Sequence, residues 1–151
     1  MNRRDFLDKT AKSICACLIT SSSIINVSCE ANLENAISSN NKLVEDFNIN
    51  EDSLKGIKSI NGTGFVNESI LNPKGLLFIR KSIEEIKVYS RNCTHRGYKI
   101  NPFNSNLVSV CSSGHGGEFD SDGLGISNPA SGSLKSFRNY LDGDIISVYN
   151  Y

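Results

Sequence analysis

Several things are missing from this 151-residue sequence, and each absence narrows the possibilities. Its 16 Lys and Arg are balanced by 16 Asp and Glu with no basic stripe, so a nucleic-acid backbone finds no electrostatic foothold. No internal repeat is visible. No helix-length segment carries apolar residues at a 3.6-residue period, which argues against a helical bundle. Apolar residues make up 38% of the chain but come in short runs, enough for one modest core. Histidine occurs only at His95 and His115, and after residue 29 cysteine occurs only at Cys93 and Cys111. The whole soft-ligand inventory of the body of the chain therefore sits in two tight clusters.

The first 29 residues read as an address rather than as fold. Arg3-Arg4 precede Phe6-Leu7, and a weakly apolar stretch diluted by Ser21, Ser22 and Ser23 runs from Ala11 to about Val27. A charged start, an apolar middle and a small-residue end make a secretory layout, and the paired arginines make it resemble a twin-arginine export signal. Cys29 follows Ser28 as an acylated cysteine does at a lipoprotein cleavage site, although Asn26 replaces the usual apolar residue. The expectation is export to the periplasm, with membrane attachment through a lipid anchor or the N-terminal segment itself. Residues 30–41, rich in Asn, Ser and Glu, read as a flexible tether. Three sequons, at Asn61, Asn67 and Asn92, are taken as chance in an Asn-rich chain.

Residues 42–151 read as one all-β domain. Leu43 to Ile49, Leu76 to Arg80, Ile83 to Tyr89 and Leu107 to Val110 are short apolar or alternating runs. Leu134 to Tyr140 and Ile145 to Tyr149 alternate well and are joined by Asp142-Gly143-Asp144, which predicts a hairpin. Short strands separated by Gly, Asn, Ser and Pro predict an antiparallel sandwich or barrel.

The chemistry concentrates in Cys93-Thr94-His95-Arg96-Gly97 and Cys111-Ser112-Ser113-Gly114-His115-Gly116-Gly117. In extended chain, residues i and i+2 face the same side about 6.6 Å apart. Cys93 and His95 can thus reach one small inorganic object, and a second Cys–His loop beside them would offer two thiolates and two imidazoles. Taken alone, the four residues also allow a tetrahedral zinc site or a Cys93–Cys111 disulfide in an oxidising compartment. The disulfide would leave both histidines without a role.

From Asn92 to its end the chain resembles the Rieske family, whose pattern is C-x-H, some fifteen to seventeen residues, then C-x-x-H. Fifteen residues separate His95 from Cys111. Gly116-Gly117-Glu118-Phe119-Asp120 resembles the family's continuation after the second histidine, and Asn128-Pro129-Ala130 resembles its cluster-covering G-P-A loop. The resemblance implies a β-sandwich with a cluster-binding loop subdomain and a Rieske-type [2Fe–2S] cluster. Cys93 and Cys111 would bind one iron, and His95 and His115 the other. One departure stands out: three residues, not two, separate Cys111 from His115. Gly114 accepts a positive φ and can absorb the extra residue.

The resemblance also implies function: one-electron transfer for a redox partner protein or quinol-linked complex, with imidazoles able to couple proton to electron movement. At the positions where high-potential relatives carry a loop-bridging disulfide, a Ser and a Tyr, this chain has Tyr98 with Gly114, Gly117 and Phe119, which implies a low to intermediate potential. A degenerate site holding zinc or a disulfide, in an exported binding or structural module, is the alternative. An oxygenase subunit fits poorly, because its mononuclear iron needs further histidines that are not there.

Overall fold

The computed structural model describes residues 42–150; the expected leader (1–29), the tether (30–41) and residue 151 lie outside the described residues. The described chain adopts the all-β antiparallel architecture. In order, its strands are β1 (Leu43–Asn48), β2 (Thr63–Val66), β3 (Leu76–Arg80), β4 (Ile86–Ser90), β5 (Ser109–Val110), β6 (Glu118–Phe119), β7 (Gly125–Ser127), β8 (Ser136–Asp142) and β9 (Ile145–Asn150). A single 3-10 turn, Lys55–Lys58, is the helical element among the described residues. Six strands form one sheet in the order β1-β9-β8-β4-β3-β2, and β5-β6-β7 form a second, smaller one.

Strand β3 organises the packing. All five of its residues are buried, and successive side chains leave on opposite faces. Leu76 and Phe78 enter one apolar cluster with Phe47, Leu54, Ile57, Val88, Ile146 and Val148. Leu77 and Ile79 enter a second with Tyr89, Ile100, Phe103, Phe119 and the two cysteines. A strand covered on both faces has no polar alternation to display, which is why its run reads as continuously apolar.

The expected β8–β9 hairpin forms, pairing Asp142 with Ile145. Gly143 takes φ +57 at the first central position, where a two-residue II′ loop places glycine. Two other runs start later than their sequence suggests. Ile83 is 79% exposed because the Ser82 hydroxyl accepts from the Glu84 and Glu85 amides and holds a turn, so β4 begins at Ile86. Asn104 accepts in the same way from the Asn106 and Val108 amides, delaying β5 to Ser109.

Tyr89 on β4 is buried and donates to the Ser121 carbonyl at 3.3 Å. Burial first, then Asp122, Asp120 and Glu85, push its phenol up from 10.0 to about 12. The folded chain thus keeps a proton that the unfolded chain releases near 10. That contribution to stability is complete below the ordinary value and is lost as pH rises through about 12. Tyr89→Phe is expected to flatten this alkaline fall and to remove the last-ionising component of an ultraviolet pH titration.

Candidate metal centre

Both cysteine loops leave the ends of strands. After β4 the chain passes Arg91 and Asn92 into Cys93. The Cys93 amide donates to the Tyr98 carbonyl and the Gly97 amide to the Cys93 carbonyl, both at 2.8 Å. After β5 comes Cys111, whose amide donates to the Gly117 carbonyl at 2.8 Å. Each loop is therefore closed on itself around its own Cys–His pair.

Long-range pairing sets the loops side by side. Ile100 bridges Cys111, the Ser112 amide donates to the Lys99 carbonyl and the Asn101 amide to the Val110 carbonyl, each at 2.9 Å. Arg91 reinforces the junction: buried, it donates through Nε to the Ile100 carbonyl at 2.8 Å and through Nη1 to Asn67 Oδ1 at 3.0 Å. A third loop lies against the first two. The Ser131 amide reaches Thr94 Oγ1 at 3.3 Å, and a Cβ on Gly117 would lie 3.3 Å from Ala130 Cβ. Asn128-Pro129-Ala130 thus flanks the loops.

All four sequence-derived candidates are gathered here. Cys93 and Cys111 are both free thiols and buried, at the edge of the second apolar cluster. His95 and His115 are exposed, their ring centroids 6.2 Å apart and their planes at 88°. Gly114 takes φ +75, so the extra residue between Cys111 and His115 is accommodated by backbone that glycine adopts without cost.

The two thiols differ electrostatically. Burial pushes Cys93 up, and its hydrogen bond with Cys111 adds to this against opposing backbone contacts at His95 and Arg96. At Cys111 burial acts upward too, but Ser113, Cys93 and Lys74 together outweigh it and hold the thiol below its ordinary value. Ser113 Oγ lies 3.1 Å from Cys111 Sγ. Cys111 is accordingly the readier thiolate of the pair.

The donor set fits a [2Fe–2S] cluster: two sulfurs inside, two nitrogens outside, one of each on either loop. Two thiols and two imidazoles on adjoining loops match in number and kind the donors of the two irons in such a cluster. Two neighbours of the site, Asn72 and Lys74 on the β2–β3 loop, carry no motif and gave no hint of their place in the sequence.

A family model for the Rieske [2Fe-2S] domain matches residues 51–138. No curated protein matches the chain. Among solved structures, the plasma membrane Rieske protein PetC3 of the cyanobacterium Synechocystis PCC 6803 is 21% identical with a TM-score of 0.52, over 67% of this chain and 93% of that one. A complex of reduced oxygenase and oxidized ferredoxin in carbazole 1,9a-dioxygenase matches at 20% identity and a TM-score of 0.42, over 60% of this chain and 82% of that one.

Proposed function

The chain belongs to the Rieske [2Fe–2S] domain family, and from that premise we propose that it is a one-electron carrier with Cys93 and Cys111 on one iron and His95 and His115 on the other. When bound, the cluster supplies the uptake and release of a single electron. The observation that carries the ligand assignment is the convergence of two buried free thiols and two exposed imidazoles on adjoining loops. The buried thiols keep solvent from the sulfur side, while the exposed rings bring the histidine side to the surface, where a redox partner can approach.

Purifying the full chain without oxygen tests this reading. The expected result is about two irons and two acid-labile sulfides per chain, with the visible spectrum and reduced-state paramagnetic resonance of a histidine-ligated [2Fe–2S] centre. Zinc without sulfide, or a Cys93–Cys111 disulfide, would overturn it in favour of a degenerate site.

The same reading implies a low to intermediate reduction potential within the roughly −150 to +300 mV range of Rieske centres. Reduction adds negative charge, which donors near the sulfurs stabilise. Gly117 and Phe119 offer no hydroxyl, and Ser113 is the side-chain hydroxyl seen on a cysteine sulfur. Gly117→Ser, for which Ala130 must yield a few tenths of an ångström, is expected to raise the potential in protein-film voltammetry. A wild-type value near the top of the range would sink this part of the proposal.

Residues 1–29 supply a twin-arginine-like export signal, with Cys29 as a candidate lipid anchor, and 30–41 a tether that lets the domain face the periplasm close to a membrane. No helix among the described residues is long and apolar enough to cross a membrane. The partner is a redox protein or a quinol-linked complex.

A further inference from the structure

Beneath the first ligand loop lies a polar assembly that belongs to neither cysteine cluster. Asn72, in the loop between β2 and β3, is only 4% exposed. Its Nδ2 donates to the Gly75 carbonyl at 2.7 Å and to Ser90 Oγ at 2.8 Å. Its Oδ1 accepts from Asn92 Nδ2 at 3.2 Å and from the Lys74 amide at 3.4 Å. A buried amide with its bonds satisfied is a rigid hub, and this one ties the β2–β3 loop to the two residues on either side of Arg91.

Lys74 extends from that hub to the ligand loop. Its side chain is half-buried, and Nζ donates to the Gly97 carbonyl, whose own amide is bonded to the Cys93 carbonyl at 2.8 Å. A Cβ on Gly97 would lie 3.8 Å from Nζ. None of the ion pairs among the described residues includes Lys74.

We propose that Lys74 is a positioning residue of the metal centre: anchored through Asn72, it clamps the first ligand loop at Gly97 and holds there a fixed positive charge that favours the reduced state. The charge half rests on the ligand assignment made above. Reduction leaves the site one unit more negative, and a partly desolvated ammonium nearby lowers the free energy of that state more than that of the oxidised one.

The test compares full-length wild type, K74M and K74R by redox titration and by hydrogen exchange at the Gly97 and Tyr98 amides. K74M is expected to retain iron and sulfide, to exchange faster in the loop and to be harder to reduce. Its ratio of reduced to oxidised protein at the wild-type midpoint should fall up to about tenfold, ~59 mV for one electron. K74R, which keeps charge and donor, should titrate with wild type. Should K74M lose the cluster, K74Q carries the test, because it keeps a donor for Gly97 without the charge. An unchanged potential in the uncharged variant that retains its iron overturns the assignment of Lys74. Absence of iron and sulfide from wild type overturns instead the electron-carrier reading beneath it, and unaltered loop exchange in K74M refutes the clamp whether or not a cluster is bound.

Discussion

His115→Ala is expected to yield a folded, colourless protein whose iron and acid-labile sulfide fall from about two each per chain to near zero. His115 is the sharpest position at which to test the site, for two reasons. It is exposed, so its truncation removes no core contact, and at equal cluster loading surface changes of this kind alter stability by roughly ±0.5 kcal/mol. Loss of the centre therefore reads as loss of a ligand. It is also the residue displaced by the extra position after Cys111, and no third histidine exists to replace it. Cys111→Ala should lose the centre equally, but that thiol is part of the second apolar cluster, and its removal mixes packing with ligation. Far-ultraviolet circular dichroism and iron analysis on the same sample decide the matter. An unchanged visible spectrum in H115A removes His115 from the ligand set and leaves the second iron to be held by something other than paired imidazoles.

Phe78→Ala carries the largest expected cost to the fold, about 3–5 kcal/mol, a large part of the roughly 5–15 kcal/mol that a domain has in all. Phe78 is fully buried at the middle of β3. It packs edge-on against Phe47 with ring centroids 5.5 Å apart and pairs with Gly64 on β2 and Val88 on β4. Gly64 itself has no side chain to fill the space, and a Cβ there would lie only 2.8 Å from the Ser53 carbonyl oxygen. Because Phe78 faces the cluster away from the cysteines, the variant that remains folded should keep the wild-type visible spectrum. Urea unfolding followed by circular dichroism gives the stability. It should be measured at one iron loading throughout, since a group bound only by the folded state adds its own stabilisation. A loss under 1 kcal/mol would mean that the β3 core is not packed as described.

Legibility differed from element to element for identifiable causes. The β8–β9 hairpin could be read because each strand has one face outward and so keeps its alternation, and because Gly143 marks the turn. Strand β2 could not: Thr63-Gly64-Phe65-Val66 is four residues long, and its glycine, a poor strand former, is there because the Ser53 carbonyl would lie 2.8 Å from a Cβ. The late starts of β4 and β5 turn on Ser82 and Asn104, whose side chains bind nearby amides and favour a turn over a strand. Such local competition is settled only when the partner strand is known.

By itself the sequence determined the class of fold, the paired Cys–His spacing and the glycine that absorbs the irregular second loop, because each of these acts over a few residues of backbone. Tertiary structure alone decided that the two loops adjoin, that the thiols are buried while the imidazoles are exposed, and that Lys74 and Asn72 reach the first loop at Gly97 and Asn92. Those outcomes come from pairings such as Ile100 with Cys111 and from the two-faced burial of β3, contacts between residues distant in the chain that no local pattern encodes.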